Sequence, residues 1–186
     1  TNDNNLNKTV TRTINVINPD GNTNTITQVA HLRRSGTIDE VTQKATYTPW
    51  ITDNWAEYDT PQISGYTPSP AKVLATKVDG NTQNQTVTIT YSANDQSTTA
   101  KFVDDDNNGA QVGDTVTLNG KTDQTINTGL KVPDNYELAK DQTLPETYKF
   151  KANGNDPIVI HLVHATKPDT NDNNLNKTVT RTINVI

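Results

Sequence analysis

The chain opens with the sequence TNDNNLNKTVTRTINVI, which recurs without a single change at residues 170–186. Identity over such a length indicates a tandem duplication, because self-similarity at a fixed spacing is typical of repeat proteins. The second copy begins at Thr170, which predicts that one complete repeat spans positions 1–169. The chain also contains no Met, as expected for a piece of a longer polypeptide. We therefore expect one repeat followed by the start of the next.

The repeated segment ends in the pattern of a strand. In KTVTRTINVI, residues 8–17, apolar Val10, Ile14 and Val16 alternate with threonine and asparagine. This period of two predicts a half-buried β-strand. The turn sequence NPDGN follows at residues 18–22, and a second alternating run follows the turn. The chain is thus predicted to begin with a β-hairpin.

Composition favours short strands over helices. The chain has 33 Thr and 24 Asn among its 186 residues. Threonine suits the solvent face of a sheet, and asparagine suits turns. AKVLATKV (71–78) and QTVTITYSA (85–93) predict a second hairpin. Cap signals permit only two short helices: one turn over Trp55–Tyr58, and another helix after the Thr122–Asp123 cap.

The polar joint NDQS at residues 94–97 suggests a boundary between two modules. We predict a first module over residues 1–97, a second over 98–168, and a linker with the first strand of the next copy over 169–186. The second module's order of strand, strand, helix, strand, strand is the β-grasp plan, with apolar IVIHLV as its central strand. The predicted fold class is α+β and mostly β: two tandem β-grasp-like (ubiquitin-like) modules with short helices.

Several classes of function are disfavoured. The formal net charge is -5 and Arg33–Arg34 is the only adjacent basic pair, so a nucleic-acid partner is not expected. No apolar run approaches the roughly 18 residues of a membrane span, so a membrane partner is not expected either. The absence of Cys excludes disulfides and thiolate catalysis. The common nucleophile and phosphate-binding motifs are also absent, and we predict that the chain is not an enzyme.

One turn resembles the opening of a calcium loop. Asp104, Asp106 and Asn108, followed by Gly109, place oxygen ligands at the first, third and fifth positions. The bidentate Glu expected at the twelfth position is Thr115 instead. The three matching positions make calcium a candidate cofactor. Because the Glu is missing, a hairpin turn rich in Asp and Asn is the favoured interpretation.

Other polar residues carry little chemistry. His161 and His164 lie three apart, so a strand would point them to opposite faces and one metal could not easily bind both. We interpret them as strand histidines with local partners. His31 has no nucleophile near it in sequence, and Asp53 and Glu57 are interpreted as solvated charges on one helix face.

Aromatic residues are concentrated in the middle of the first module, at Trp50, Trp55, Tyr58 and Tyr66. In a chain with so few aromatic residues, their expected role is to form the core. A partly exposed ring could instead anchor a sugar or a protein partner.

Longer segments resemble a known family. TVTRTINVINPDGN, WITDNW, PQISGYTPS and TVTITY are similar to the first half of a mucus-binding (Mub) repeat. AKFVDDDNNGAQV, LNGKTDQ, YELAKD and IVIHLVHAT are similar to the MucBP-type half that follows it. The resemblance covers residues 1–168 and depends on order and spacing, with IHLVHAT as the most specific stretch. Such repeats occur in cell-surface adhesins of lactic-acid bacteria.

The resemblance implies an adhesive module and no catalytic residues. Expected partners are mucin glycoproteins or their glycans, together with neighbouring repeats of the same chain. Immunoglobulins are an alternative partner, since the repeats also resemble bacterial antibody-binding modules. A third interpretation is a passive spacer in a wall-anchored protein. The expected location is extracellular, on the cell wall of a Gram-positive bacterium. The binding residues cannot be assigned from the resemblance.

Overall fold

A computed structural model describes residues 3–186, which divide into two compact units. The first unit comprises residues 3–96, 120–124 and 149–155, and the second comprises 97–119, 125–148 and 156–186. The change of unit after Gln96 falls within the polar joint at residues 94–97. Two short segments from later in the chain nevertheless belong to the first unit.

The first unit is built almost entirely from strands. After helix α1 (Asp3–Leu6), the strands are β1 (Asn7–Ile17), β2 (Thr23–Arg33), β3 (Gly36–Ile38), β4 (Ala45–Tyr47), β5 (Asp53–Trp55), β6 (Tyr58–Asp59), β7 (Tyr66–Ser69), β8 (Lys72–Val73), β9 (Thr76–Val78) and β10 (Gln85–Ala93). Four of them form a sheet in the order β2-β1-β10-β7. β1 and β2 form the predicted antiparallel hairpin, and β1 pairs in parallel with β10.

The predicted second hairpin, residues 71–78 with 85–93, is wrong. β10 pairs with β1 and β7, whereas β8 pairs with β6 and β9 pairs with β5. The parallel pairing places Ile89, which is fully buried, in one apolar cluster with Ile14 of β1. Alternation in sequence identified the strand β10 correctly but could not identify its partner, because pairing depends on distant residues.

The core of the first unit consists of two apolar clusters on one face of β1. Val10 belongs to a cluster with Trp55 and Val78, and Ile14 belongs to another with Ile89. Between them on the same face lies Arg12, only 1% exposed. Arg12 is two residues from Val10 and two from Ile14, so its side chain points to the same face of the strand as theirs. This spacing was the signal in the sequence for its burial.

The second sheet has the order β12-β11-β16-β14. The remaining strands are β11 (Asp95–Asp104), β12 (Ala110–Lys121), β13 (Thr125–Asn127), β14 (Tyr136–Leu138), β15 (Thr147–Lys149) and β16 (Ile158–His164). β16 pairs in parallel with β11 and antiparallel with β14, so it is a central strand, as its apolar sequence predicts. Its Ile160 and Leu162 form a core with Phe102.

Both predicted helices are wrong. The segment over Trp55–Tyr58 is extended because Trp55 pairs with Thr76 and buries its ring, leaving it 2% exposed. After Thr122 the chain forms strand β13, which pairs with β15. Thr122 itself is 4% exposed, so its side chain lies in the protein rather than at an exposed helix start. Tertiary pairing thus overrides weak cap signals.

Helix is scarce throughout residues 3–186. None of the helices described there exceeds four residues, and none is long and apolar enough to cross a membrane. The predicted β-grasp plan includes a helix. In each four-stranded sheet the first long strand pairs in parallel with the last, β1 with β10 and β11 with β16. The helix of that plan is not found in the described part of either unit.

The second copy of the repeated sequence has a different structure from the first. Its DNNL residues form helix α2 (Asp172–Leu175), matching α1. Residues 177–186, identical to most of β1, form no strand and are exposed along their whole length. Ile183, the counterpart of buried Ile14, is 70% exposed. Since β1 is a strand through its pairing with β2 and β10, the same sequence without paired neighbours stays irregular.

Candidate functional site

The acidic turn that follows β11 is held by its own aspartates. Asp104 caps a 3₁₀ turn, Asp105–Asn107, and its Oδ1 accepts the backbone N–H of Asp106 at 2.9 Å. Gly109 donates its N–H to the Asp104 carbonyl at 2.8 Å. Asn108 has φ of 53°, a left-handed conformation that asparagine tolerates well. These contacts explain why the sequence turns here.

The two histidines of β16 contact this turn through separate carboxylates. His164 Nε2 lies 2.8 Å from Asp104 Oδ2, and the His164 backbone N–H donates to Asp106 Oδ2 at 2.9 Å. His161 Nδ1 lies 2.7 Å from Asp105 Oδ1. Both histidines lie on a strand as interpreted, and each contacts its own carboxylate, although these partners are not local in sequence. The sequence did not reveal that the partners lie in the acidic turn, because each histidine is distant from its aspartate along the chain.

The Asp104–His164 pair is the better shielded of the two. The Asp104 side chain is 3% exposed, whereas Asp105, which faces His161, is 40% exposed. The Tyr136 ring meets the His164 ring edge-on, with centroids 5.7 Å apart. A carboxylate buried to this degree requires hydrogen-bond partners. His164 and the turn backbone supply them, so the contact fastens the turn to the central strand.

Two members of the predicted calcium set come together beside a histidine. Asp104, Asp106 and His164 offer ligand atoms within 4.8 Å of one another. Calcium prefers oxygen ligands, and an imidazole nitrogen fits that preference poorly. Asp104 Oδ1 accepts the Asp106 N–H, and Asp104 Oδ2 lies 2.8 Å from His164 Nε2. Calcium binding at Asp104, Asp106 and Asn108 stays a prediction.

The aromatic residues of the first unit lie mostly in its core. Trp55 is buried, and its indole N–H donates to the Val10 carbonyl at 3.0 Å. Trp50 packs partly buried against the same cluster, and Tyr58 packs against the other. Tyr66 is half-buried outside both clusters. The core interpretation holds for three of the four rings, and Tyr66 is the exception.

Sequence reasoning missed a stack around Arg34. Its guanidinium lies 3.8 Å from the Tyr47 ring centroid and 4.3 Å from that of Trp50. Nε also donates to the Asn5 carbonyl at 2.6 Å, which ties helix α1 to this stack. Contacts of a cation with ring faces contribute about 0.5–1 kcal/mol at exposed sites. Arg34 is thus a structural residue rather than part of a basic binding patch.

Asp53 and Glu57, the other two acids singled out in the sequence, contact different partners. Asp53 accepts the backbone N–H of His31 at 2.8 Å, and this bond, followed by that from Asn54, lowers the pKa of Asp53. Glu57 lies 3.7 Å from Lys72, on the surface. The two acids were expected on one helix face, but the backbone is extended there, so that expectation is wrong.

Sequence comparison identifies the family. A family model described as the Muc B2-like domain matches residues 1–95, which is just over half of the chain. The chain belongs to the Muc B2-like domain family. A second model, described as the mucin binding domain, matches residues 96–164 of this Muc B2-like chain. The resemblance inferred from the sequence is thereby confirmed. These are families of adhesion modules and not of enzymes.

Several solved structures are similar to part of this Muc B2-like chain. The mucin-binding domain of Spr1345 from Streptococcus pneumoniae is 27% identical over 47% of this chain and 91% of that one, with a TM-score of 0.43. The MucBP domain of an adhesion protein from Pediococcus pentosaceus is 33% identical over 47% of this chain and 99% of that one, with a TM-score of 0.40. The type 2 repeat of the mucus binding protein MUB from Lactobacillus reuteri is 28% identical over 47% of this chain and 50% of that one, with a TM-score of 0.37. No curated protein is significantly similar to the chain.

Proposed function

We propose that the chain is a repeat of a bacterial surface adhesin that binds mucin glycoproteins through their glycans. The observation that carries the proposal is the pair of adjacent family matches, which together span residues 1–164. Mucins lie outside the bacterial cell, so a module that binds them has to be displayed there. An extracellular location and attachment to the cell wall are therefore part of the proposal.

The repeated segment supports function in an array. Residues 170–186 restart the sequence of residues 1–17, including the helix-forming DNNL, which forms α1 and α2 alike. Tandem copies raise the effective concentration of each further binding site once the first is engaged. Weak single repeats would then add up to firm adhesion, with neighbouring repeats as the partners of each terminal segment.

Retention on immobilised mucin tests the proposal. The full chain, coupled to beads in many copies, should be retained by mucin and lost after periodate oxidation of the mucin glycans. Beads carrying albumin in place of the chain are the control for nonspecific retention. Equal retention of the chain on untreated and oxidised mucin would contradict glycan binding. Loss of retention on both surfaces would leave the passive-spacer interpretation.

Immunoglobulin binding is a second candidate that the sheet geometry favours. β12 is the outermost strand of its sheet, runs for 12 residues, and is largely exposed. An outer strand can accept a strand from a partner protein through main-chain hydrogen bonds. Retention of deglycosylated immunoglobulin by the same beads would support this candidate. Absence of retention would remove it without affecting the mucin proposal.

A further inference from the structure

A groove of about 550 Å³ opens on the surface of the first unit. Its lining includes Asn18, Pro19, Asp20, Ser64, Tyr66 and Asp123. The first three residues form the turn between β1 and β2, and Tyr66 begins β7. Grooves of this size fit small organic ligands. Of the four aromatic residues predicted to form the core, Tyr66 is the one outside the apolar clusters.

The carboxylates of the groove are already held in place. The Tyr66 hydroxyl donates to Asp123 Oδ2, and this bond raises the pKa of Tyr66. Asp20 accepts the backbone N–H of Asn22 at 2.8 Å and its side-chain amide at 3.0 Å. Each carboxylate oxygen can accept two hydrogen bonds. Both groups therefore keep capacity for a donor from a ligand.

The chemistry of the lining favours an uncharged ligand rich in hydroxyl groups. Asp20 and Asp123 accept hydrogen bonds, and Asn18 and Ser64 offer further polar groups beside the Tyr66 ring. Among the lining residues in the described part of the chain there is no Lys or Arg to attract an anion. Sugars present adjacent hydroxyl donors and an apolar ring face. A sialic acid or a sulfate ester would instead meet two negative charges.

We propose that this groove binds neutral sugar residues and rejects sialylated or sulfated ones. The inference rests on the proposed mucin-binding function, since it names the class of glycan that one surface of the repeat recognises. It assigns the contact to the β1–β2 turn, the residues that precede β7, and the loop at Asp123. The acceptors act on sugar hydroxyls, and the tyrosine ring packs on the face of the sugar.

Titration of the isotope-labelled full chain followed by NMR tests this directly. The probes are the methyl glycosides of galactose, fucose, N-acetylgalactosamine and N-acetylglucosamine, with sialyllactose and a 6-sulfated N-acetylglucosamine as the anionic set. At least one neutral glycoside should shift the amide signals of residues 18, 20–22 and 63–66. The anionic probes should leave these signals unchanged. Absence of shifts with every neutral probe, or stronger shifts with the anionic set, would overturn the inference.

A double variant, Asp20→Asn with Asp123→Asn, identifies the groups responsible. Asparagine tolerates the φ of 67° at position 123 and keeps an oxygen for the Tyr66 hydroxyl, so the fold should be preserved. Losing the charged acceptors should lower the affinity for the neutral glycoside by at least about tenfold. Asp59→Asn with Asp134→Asn removes the same charge from exposed positions outside the groove and should leave binding unchanged. Equal affinity of both double variants would refute the assignment.

The mucin beads distinguish failure of this inference from failure of the proposed function. If the wild-type chain is retained on mucin while the Asp20 and Asp123 variant is retained equally, the groove is not the site and mucin binding stands. If the wild-type chain is not retained on mucin, the proposed function is wrong whatever the titrations show. If retention falls only for the groove variant, both proposals are supported.

Discussion

Arg12 is the residue whose replacement tests the packing of the first unit most sharply. It is 1% exposed, and burial lowers the pKa of its guanidinium. Its nitrogens donate to Gln28 Oε1 at 2.7 Å, to the Leu74 carbonyl at 3.0 Å, to Thr76 Oγ1 at 3.0 Å and to the Ala56 carbonyl at 2.9 Å. All four acceptors are neutral, so this is a buried charge that is satisfied without an ion pair.

The expected cost of Arg12→Met follows from those contacts. Each buried acceptor left without a donor costs about 1–3 kcal/mol. The Ala56 carbonyl keeps a second donor in Gln28 Nε2 and the Leu74 carbonyl keeps one in the Thr76 hydroxyl, so the loss at these two acceptors is small. Removing a desolvated charge offsets part of the remaining loss. We expect Arg12→Met to destabilise the unit by about 2–3 kcal/mol, since two acceptors at most are left bare.

Arg12→Lys should be worse than Arg12→Met, although it conserves the charge. An ammonium group cannot reach four acceptors spread around a planar guanidinium, and it would remain buried with fewer hydrogen bonds. Breaking the contacts of a buried charge costs about 3–5 kcal/mol. The expected order of stability is therefore wild type, Met, then Lys, which is the reverse of what chemical similarity suggests.

Urea unfolding followed by tryptophan fluorescence measures these changes in the right unit. Trp50 and Trp55 are the two tryptophans of the chain, and both lie in the first unit, so unfolding of the second unit contributes little to the signal. Arg181→Met is a matched control, because Arg181 has the same neighbours in sequence but is exposed. It should change the free energy of unfolding by less than about 0.5 kcal/mol. Equal effects of Met at positions 12 and 181, or a Lys variant as stable as wild type, would refute the reasoning.

Three further outcomes are expected. Because backbone hydrogen bonds, chiefly from His31, lower the pKa of Asp53 below its ordinary 3.8, its stabilising contribution is complete above that value and is lost as the pH falls through the lowered pKa. Thermal unfolding from pH 7 to 2 should therefore show a smaller acid loss in Asp53→Asn; an unchanged loss would count against the role of these bonds. Gly80→Ala should cost about 1–3 kcal/mol in urea unfolding, because the new Cβ would lie 2.5 Å from Trp50 Cδ1. A Gly80 variant as stable as wild type would mean that the indole moves aside freely. If residues 104–109 form a plain turn, the melting temperature should be the same in calcium and in chelator, whereas a rise with calcium concentration would establish binding.

The strands with regular alternation were predictable from the sequence, and their partners were not. Val10, Ile14 and Val16 identify both β1 and its inner face, and the NPDGN turn determines its partner β2. The residues of β10 alternate as clearly, yet it pairs in parallel with β1, the first strand of the chain. No local pattern encodes such a pairing, because the energy comes from burial against distant side chains.

The sites show the same limit. The acidic turn was predicted from Asp104, Asp106 and Asn108, since local side-chain contacts determine its shape. Its contact with His164 joins two distant parts of the chain and could be found only in the folded protein. Arg12 is a different case. Its spacing from Val10 and Ile14 places it on the inner face of β1, but a charged residue is rarely assigned to a core. The groove beside Tyr66 depends on loops whose approach no spacing reveals.

The parallel strand pairs have a consequence for mechanical load. In the first unit, β1 and β10 pair from Arg12–Gln85 to Val16–Ile89, and in the second, β11 and β16 pair from Ala100–Ile158 to Asp104–Leu162. A pull on the start of the first strand and the end of the last strand of a unit acts at opposite ends of such a pair. The hydrogen bonds between the two strands then share the force in shear instead of opening one after another. Each unit is thus arranged to resist stretching between the start of its first long strand and the end of its last one.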